Sequence, residues 1–461
     1  MFKAEYDNMK VHFIAIGGSA MHNLALSLHH KGYAVSGSDD EVFEPSKSRL
    51  AKFGLLPNKM GWDEKNISKH LDAVILGMHA RADNPELIKA QELGLPIYSY
   101  PEYIYEQTKD KTRVVIGGSH GKTTITAIIL HVLQKCGVET DYMVGAQLKG
   151  FDTMVKLTET APIVILEGDE YLSSPIDRRP KFHLYKPSIA LLSGIAWDHV
   201  NVFPTFDNYV EQFRIFLNLI EKDGTLIYSE DDFEVRMVAE QCTNQIEKTP
   251  YGIPQHETVN GITSLISNGE KIPLKIFGNH NLMNLNGARL VCNALGISDK
   301  GFYKAVQDFS GASKRLELIG QANSTSVYKD FAHSPSKLKA TTSAVKNQFD
   351  SRKLVACMEL HTFSSLNQEF LSQYADSMNT ADVAVVYFNP LTLEHKKLPP
   401  LSENDVKDAF KREDLLVFID NDKMVSWLKN QTWTNKNLLL MSSGNFGGLN
   451  LESLATEITQ G

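Results

Sequence analysis

The chain has 461 residues, a length that favours about three domains with a core in each. An apolar fraction of 42%, a charged fraction of 22% and a formal charge of −8 are ordinary for a globular protein, and the lack of a basic excess argues against nucleic acid as a partner. The four cysteines stand far apart, which argues against a disulfide framework or a zinc site. No apolar run approaches the roughly 20 residues of a membrane span, so we expect a cytoplasmic protein without a membrane partner.

The first part of the chain predicts a small α/β domain. Apolar strands alternate with helical patterns, and this alternation favours a parallel sheet. Strands are predicted at residues 11–16, 34–37, 73–77 and 96–98.

The glycine turn after the first strand does not match the dinucleotide fingerprint G-x-G-x-x-G. Gly17 and Gly18 are present, but Ala15 and Ala20 stand where the outer glycines would be, which disfavours a nicotinamide or flavin cofactor. Asp39 follows the second strand and is suited either to a ribose or sugar hydroxyl or to a solvated turn. The residues alone favour neither role.

The most informative stretch runs from residue 114 to 133: an apolar strand, a glycine-rich turn, a Lys-Thr pair and an apolar helix. This order predicts a phosphate-binding loop, because glycines let backbone N–H groups at a helix N-terminus surround an anion. Lys122 would reach the β- and γ-phosphates, and the Thr123 hydroxyl would face Mg²⁺. Only two residues separate Gly118 from Gly121, whereas the general motif has four. The alternative is a strand-to-helix turn that binds nothing.

A carboxylate and a histidine follow two further predicted strands. Glu167 ends the strand at 163–166, and His199 follows the strand at 189–193. Ligands bind at the carboxyl edge of parallel sheets, so both side chains are candidates for the same site as Thr123. Mg²⁺ prefers oxygen ligands, which suits Glu167 and Thr123. For His199, the residues alone favour a structural or helix-capping role.

Two later segments carry polar side chains in suggestive positions. His280 and Asn284 stand one helical turn apart, and amides can recognise a purine edge, although a polar helix start explains them equally well. Asp330 follows a predicted strand and is suited to bind a ribose or a cation, or to cap a turn. A third α/β domain is predicted from about residue 311 onward.

Together these motifs resemble the Mur ligase family, ATP-dependent enzymes that join amino acids or peptides to UDP-N-acetylmuramic acid in making or recycling peptidoglycan. The turn at Gly17-Gly18 with Gly37-Ser38-Asp39 is similar to the UDP-binding start of the branch that uses unmodified UDP-N-acetylmuramate. The short phosphate loop at 118–124 is similar to the family's own, which accounts for its spacing. The other matches are the adenine segment 280–284, the interdomain arginine Arg315 and the D-F-A-H segment 330–333.

The resemblance implies an α/β fold with the three-domain Mur ligase architecture. We expect a Rossmann-like UDP-sugar-binding domain at 1–108 and a central P-loop ATPase domain that binds ATP at 109–311. A Rossmann-like C-terminal domain at 312–461 is expected to bind the acceptor and to close on ATP.

The family's chemistry assigns a role to each motif. The lactyl carboxylate attacks the ATP γ-phosphate to form an acyl phosphate, and an incoming amine displaces phosphate to leave an amide. ATP and Mg²⁺ are the implied cofactors. The implied catalytic residues are Lys122, Glu167, His199, Arg315 and His333, and the implied metal ligands are Thr123, Glu167 and His199. The first lysine after His199 is Lys222, so no carbamylated lysine is expected.

The binding residues are carried over by position. Those implied for ATP are Gly118, Ser119, His120, Gly121, Lys122, Thr123, Thr124, His280, Asn281, Asn284, Arg315 and Asp330. Those implied for the UDP-sugar are Gly17, Gly18, Ser38, Asp39 and His79. Candidates for the acceptor are Arg178, Arg179 and His361. The expected partners are UDP-N-acetylmuramate and a peptide or amino-acid acceptor, with a chain that is a monomer or a weak homodimer.

The acceptor is predicted from three segments. Residues 167–171 (EGDEY), 177–182 (DRRPKF) and 441–448 (MSSGNFGG) are similar to the branch that attaches the recycled tripeptide L-alanyl-γ-D-glutamyl-meso-diaminopimelate. His361 stands where that branch has an arginine, which would bind a peptide carboxylate with two hydrogen bonds. The alternative is the branch that adds L-alanine in peptidoglycan biosynthesis.

Two other classes remain. One is a nucleotide-sensing protein without turnover, against which the intact Lys122, Thr123, Glu167 and His199 argue. The other is a different ATP-dependent amide ligase, such as a polyglutamate-adding enzyme, which would not need the UDP-binding unit at 11–101.

Overall fold

The computed structural model describes residues 9–148, 150–197, 202–312 and 315–460. The α/β class is confirmed, because parallel sheets flanked by helices account for most of these residues. The chain divides into two compact units, Met1–Gly252 with Gly287–Phe302 and Ile253–Asn286 with Tyr303–Gly461. The predicted boundary after residue 108 falls inside the first unit, so the exact domain boundaries stay predictions.

The first sheet of the first unit is parallel, with the strand order β2-β1-β3-β4. Its strands are β1 (Lys10–Ile14), β2 (Ala34–Ser38), β3 (Ala73–Leu76) and β4 (Ile97–Ser99). The helices between and after them are α1 (Ser19–His30), α2 (Ser46–Lys52), α3 (Pro85–Glu92) and α4 (Tyr100–Thr108), with a 3₁₀ turn at Glu64–Asn66. Strand β3 is buried along its whole length, as expected for a strand covered on both faces.

The second sheet of this unit has the strand order β11-β10-β9-β5-β8-β6-β7 and is parallel except for the β6–β7 pair. Its strands are β5 (Thr112–Gly117), β6 (Thr140–Met143), β7 (Val155–Lys156), β8 (Ile163–Glu167), β9 (Ile189–Leu192), β10 (Thr225–Ser229) and β11 (Glu247–Tyr251). Its helices are α5 (Lys122–Lys135), α6 (Phe206–Asn218) and α7 (Phe233–Gln241), with a 3₁₀ turn at Lys181–Leu184.

Register brings three strands of this sheet to one edge. Ile116 in β5 pairs with Glu167 in β8, and Gly117 pairs with Leu192 in β9. The segments that follow these strands therefore begin side by side at the carboxyl edge, where ligands bind in open parallel sheets.

A buried arginine ties the two sheets of the first unit together. Arg113 in β5 is 1% exposed, and its guanidinium donates to the carbonyls of Thr108 (3.2 Å), Lys109 (2.6 Å) and Lys111 (3.0 Å), where α4 ends and β5 begins. Its Nε also donates to the carbonyl of Tyr185 at 3.1 Å. The linker between the sheets is thus fixed to the sheet that follows it.

The second unit contains an antiparallel sheet and a larger mixed sheet. The antiparallel sheet has the order β12-β13-β14, and the larger sheet has the order β15-β16-β20-β17-β18-β19, with only the β15–β16 pair antiparallel. The strands are β12 (His256–Val259), β13 (Ile262–Ser267), β14 (Glu270–Pro273), β15 (Glu317–Ala322), β16 (Thr325–Asp330), β17 (Lys353–Leu360), β18 (Val383–Phe388), β19 (Leu416–Phe418) and β20 (Lys436–Met441).

The remaining helices include α8, which begins in the second unit and ends in the first. They are α8 (Asn279–Ala294), α9 (Asp299–Val306), α10 (Pro335–Gln348), α11 (Gln368–Leu371), α12 (Pro390–His395), α13 (Glu403–Phe410), α14 (Asn421–Lys429) and α15 (Leu451–Gln460), with a 3₁₀ turn at Ser372–Tyr374. Within the described ranges, no helix has both the length and the apolar character required to cross a membrane. The cysteines at 136, 242, 292 and 357 are free thiols.

Candidate active site

The glycine turn after β1 is closed by Asp39. Asp39 Oδ2 accepts a hydrogen bond from Gly17 N at 2.6 Å, and a Cβ at position 17 would lie 2.8 Å from the same oxygen, so the turn requires glycine there. Burial raises the pKa of Asp39, against the opposing effect of the Gly17 hydrogen bond. The carboxylate is 5% exposed. Asp39 thus shapes the turn, and its predicted contact with the sugar nucleotide stays a prediction.

The other residues predicted to bind the UDP-sugar are placed differently. The Ser38 side chain is buried and its hydroxyl donates to the carboxylate of Glu86, so it faces the core rather than the turn. Its carbonyl supports the turn instead, accepting from the N–H groups of Ala15 (2.9 Å) and Ile16 (3.0 Å). His79 is exposed in the loop that follows β3.

The phosphate loop lies against the end of β9. Gly118 has φ +128°, and a Cβ there would lie 2.3 Å from Ser193 Oγ. Ser119 N donates to the carbonyl of Gly194 at 2.9 Å, and Ser119 Oγ accepts from Ala196 N at 2.7 Å. These bonds fix the loop to the segment after β9, and α5 begins directly after the loop at the carboxyl edge of the sheet.

Lys122 is held by a carboxylate that follows β8. Its Nζ lies 2.6 Å from Glu170 Oε2 and donates to the carbonyl of Gly118 at 2.5 Å. Tyr209 on α6 donates to Glu170 Oε1 at 3.1 Å. Burial lowers the pKa of Lys122, but the carboxylates of Glu170, Asp169 and Glu167 outweigh it and raise the pKa above its ordinary value. The ammonium is therefore charged at the mouth of the loop.

A second lysine lies close to this pair. Lys181 Nζ is 2.5 Å from Asp169 Oδ2, and it lies 5.7 Å from the ring centroid of Tyr100 on α4. Burial would raise the pKa of Asp169, but Lys181 and Lys122 lower it to about 2. Asp169 thus lies between two lysine charges and carries its own charge at neutral pH.

Thr123 and Glu167 supply adjacent oxygens. Thr123 Oγ1 donates to Glu167 Oε1 at 2.7 Å, and Gly145 N donates to Glu167 Oε2 at 2.8 Å. A hydroxyl beside a carboxylate fits Mg²⁺, which takes hard oxygen ligands and keeps several waters. The third predicted ligand, His199, lies outside the described residues, within which no group of three or more His, Cys, Asp and Glu side chains could hold a metal.

The predicted acceptor arginines follow β8. Arg179 is engaged by acidic neighbours: its NH2 lies 2.6 Å from Asp177 Oδ2 and 3.2 Å from Glu102 Oε1 on α4. Its guanidinium is therefore paired in this structure rather than offered to a ligand. Arg178 is exposed. Both acceptor assignments stay predictions.

The predicted adenine segment begins α8 in the second unit. Gly278, with φ +88°, precedes the helix, and Asn281 Nδ2 donates to the carbonyl of Phe277 at 2.9 Å. That bond lies at the start of the helix and is compatible with adenine binding and with a polar helix start, so the adenine assignment stays a prediction. Asn281 and Asn284 are 6% and 7% exposed, and His280 is half-buried.

Asp330 organises a second cluster in the same unit. Its Oδ2 accepts from Leu316 N at 2.5 Å and its Oδ1 from Ala332 N at 2.6 Å, which joins the end of β16 to the segment carrying Arg315. The Arg315 guanidinium lies 4.7 Å from the ring centroid of Phe331. Burial raises the pKa of Asp330, against the opposing charge of Arg315. His333 Nδ1 lies 2.8 Å from the Phe331 carbonyl.

A buried carboxylate at the end of β17 was not predicted as a site residue. Glu359 is 3% exposed and accepts from the Ser442 hydroxyl and from Phe446 N (2.8 Å) in the loop after β20. His361 Nδ1 lies 3.8 Å from Glu359 Oε1, and the side chain of His361 is 39% exposed. The carboxyl ends of β17 and β20 thus share one polar cluster, which includes the predicted acceptor residue His361.

These arrangements define the class of the protein as a P-loop nucleotide-binding α/β protein with a charged, carboxylate-rich edge. Comparison with known protein families agrees with this class and identifies the family within it. Three family descriptions match: "Mur ligase family, catalytic domain" at residues 10–112, "Mur ligase middle domain" at 116–292 and "Mur ligase, glutamate ligase domain" at 314–444.

Curated relatives point to the same family. The chain is 31% identical over 396 residues to a UDP-N-acetylmuramate–L-alanine ligase from Caldicellulosiruptor bescii, covering 82% of this chain and 83% of that one. It is 26% identical over 458 residues to the UDP-N-acetylmuramate–L-alanyl-γ-D-glutamyl-meso-2,6-diaminoheptandioate ligase of Escherichia coli, covering 97% of this chain and 98% of that one. The chain belongs to the Mur ligase family, whose members are ATP-dependent ligases that form carbon–nitrogen bonds.

Solved structures share the fold. A murein peptide ligase from Psychrobacter arcticus superposes with a TM-score of 0.64 at 22% identity, covering 98% of this chain and 99% of that one. A UDP-N-acetylmuramate–alanine ligase from Thermotoga maritima gives a TM-score of 0.69 at 19% identity, covering 98% of each chain. The three-domain Mur ligase architecture is thereby confirmed as a fold.

Proposed function

We propose that this ligase joins the tripeptide L-alanyl-γ-D-glutamyl-meso-diaminopimelate to UDP-N-acetylmuramate, with ATP as the energy source and Mg²⁺ as the metal. The observation that carries the choice of acceptor is the segment between β8 and β9. Its sequence is similar to that of the tripeptide-using branch, and its Lys181 pairs with Asp169 beside the phosphate-loop lysine.

Within this reaction, the chain's own residues hold the transferring phosphoryl group. The lactyl carboxylate attacks the γ-phosphate, ADP leaves, and the acceptor amine then displaces phosphate from the acyl phosphate. Lys122 offsets the charge that develops on the phosphoryl oxygens, and the N–H groups at the start of α5 bind the phosphates. Thr123 and Glu167 would hold Mg²⁺, which supplies further charge neutralisation when bound.

The carboxyl edge of the second unit supports an acceptor larger than an amino acid. Exposed apolar side chains follow three neighbouring parallel strands there: Phe363 after β17 is 51% exposed, Leu391 after β18 is 57% exposed and Ile419 after β19 is 44% exposed. Contiguous exposed apolar surface is a feature of ligand-binding grooves, and these three side chains follow adjacent strands at one edge of the sheet. Together with His361 and the Glu359 cluster, this edge would contact an extended acceptor.

A second candidate function is the addition of L-alanine to UDP-N-acetylmuramate. It is favoured by the relatives at about 30% identity that carry this activity in their names, including the one from Caldicellulosiruptor bescii. Both candidates share the sugar nucleotide, ATP and the acyl phosphate step. They differ only in the acceptor.

The test is phosphate release from Mg-ATP in the presence of UDP-N-acetylmuramate, with the tripeptide, with L-alanine and with neither. Turnover with the tripeptide, and a product of the corresponding mass, is the expected result. Turnover with L-alanine alone would replace the tripeptide by the second candidate. No phosphate release with either acceptor would overturn the proposed combination of UDP-N-acetylmuramate with these acceptors.

A further inference from the structure

A buried amide on helix α1 is hydrogen-bonded to the sheet that carries the phosphate loop. Asn23 is 0% exposed, and its Oδ1 accepts from Met154 N at 2.9 Å. Its Nδ2 donates to the carbonyl of Ser19 at 2.8 Å and lies 3.0 Å from His22 Nε2. Because both ends of the amide are hydrogen-bonded, its orientation is fixed relative to the first turn of α1, which follows Gly17 and Gly18.

From Met154 the chain of bonds continues to Glu167. The Met154 carbonyl accepts from Val144 N at 2.9 Å, and the next residue, Gly145, donates from its N–H to Glu167 Oε2 at 2.8 Å. A Cβ at position 145 would lie 2.8 Å from Glu167 Oε1, so the backbone approaches the carboxylate as closely as glycine allows. Each hydrogen bond in this series is 2.8 or 2.9 Å long and has at least one backbone partner.

We propose that Asn23 is a positioning residue for the reaction. It transmits the placement of the glycine turn, where the sugar nucleotide is proposed to bind, to the carboxylate beside Thr123. This inference rests on the proposed function for the identity of the ligand at that turn. Its physical basis is that a buried N–H left without an acceptor is costly, so Met154 N follows Asn23 when α1 shifts.

The chain contains a matched control one turn further along α1. Ser27 Oγ accepts from Leu157 N at 2.9 Å, so Ser27 makes the same kind of bond between the same two segments. Leu157 lies three residues beyond Met154, on the side away from Gly145. Ser27→Ala therefore loosens the contact between the segments without breaking the chain of bonds that leads to Glu167.

The experiment is hydrogen–deuterium exchange on the full-length chain, with and without UDP-N-acetylmuramate. In the wild type, we expect the ligand to slow exchange at residues 16–22 and also at 144–156. In Asn23→Ala, slowing at 16–22 should remain while slowing at 144–156 is lost. Ser27→Ala should keep both.

Kinetics give an independent readout. Asn23→Ala should lower kcat by about 10-fold to 100-fold through displacement of Glu167, with the KM for the sugar nucleotide changed less than about threefold. Equal loss of protection at 144–156 in Ser27→Ala, or unchanged protection there in Asn23→Ala, would overturn the inference while leaving the proposed function standing. No protection at 16–22 in the wild type would instead overturn the proposed sugar nucleotide, and this inference with it.

Discussion

Lys122 Nζ lies 2.6 Å from Glu170 Oε2, and the two side chains are only 15% and 2% exposed. The attraction within a buried ion pair offsets the free-energy cost of desolvation only when the geometry is good and further hydrogen bonds are present. Here the Gly118 carbonyl and the Tyr209 hydroxyl supply those hydrogen bonds. The site thus holds a charged lysine where, under the proposed function, phosphate charge would arrive on nucleotide binding.

Lys122→Ala should abolish catalysis without unfolding the protein. Removing the cation that offsets charge on the transferring phosphoryl group should lower phosphate release by about 1,000-fold or more. The measurement is phosphate release at saturating substrates, with circular dichroism as the check on folding. Near-normal turnover would contradict the assignment of the phosphate loop.

Glu170→Gln should change the pH dependence as well as the rate. Without this carboxylate, burial is opposed less strongly and the pKa of Lys122 falls, because Glu170 is the largest of the effects that raise it. Activity should therefore decline with rising pH at a lower pH than in the wild type. The measurement is kcat/KM for ATP across neutral and alkaline pH. Tyr209→Phe, which removes only one bond to Glu170, is the milder control; identical alkaline limbs in Glu170→Gln and the wild type would refute the idea.

Gly145→Ala should separate activity from stability. The added methyl would meet the carboxylate end of Glu167, a flexible group that can move, so we expect the free energy of unfolding to change by less than about 1 kcal/mol. The displaced carboxylate should lower kcat by about 10-fold to 100-fold. Gly301→Ala is the control, because a Cβ there meets nothing closer than 3.5 Å and lies within a helix. Equal activity in the two variants would count against a role for Glu167.

The lowered pKa of Glu86 predicts that the free energy of unfolding decreases in acid. Burial raises its pKa, but hydrogen bonds from His12, Ser38, Asp63 N and Asn66 outweigh this effect and lower it. Because the folded pKa lies below the unfolded value of about 4.3, this contribution is present above that value and is lost as pH falls through the folded pKa.

Urea denaturation at pH values from about 3 to 7 would measure this effect. Glu86→Gln should show a flatter dependence on acid than the wild type, and should cost about 1–3 kcal/mol near neutral pH. Asp83→Asn is the control, since Asp83 pairs with Arg81 at the surface with side chains 71% and 84% exposed. A wild-type acid profile in Glu86→Gln would exclude Glu86 as the source.

The parts of the site that follow local rules were predictable. Strand, glycines, Lys122 and helix appear in the order that a phosphate loop requires, and Glu167 ends an apolar strand, so both fall at the carboxyl edge. Such features depend on neighbours in the sequence and on the register of parallel strands, which hydrophobic runs reveal.

The partners of these residues were not predictable. Glu170 is 48 positions from Lys122, and Asp169 is 12 positions from Lys181, so their pairing depends on how the segment after β8 folds back. The sequence indicated this pairing only weakly, through the several acidic residues of the EGDEY segment and the lysine of the DRRPKF segment. Ser38 was predicted to contact the sugar nucleotide, and its hydroxyl donates to a buried carboxylate from α3, a contact that no local pattern indicated.

The clamp around Arg113 sets a rule for building hybrids of this enzyme with its relatives. The Arg113 guanidinium donates hydrogen bonds to carbonyls between Thr108 and Lys111, in the linker that joins the two sheets. It also donates to the carbonyl of Tyr185, which follows that linker in the chain. A graft that exchanges the first sheet must therefore import a junction of the same length and path. A graft that fails to do so leaves a buried cation facing the wrong backbone, and the imported sheet lacks the contact that fixes its linker.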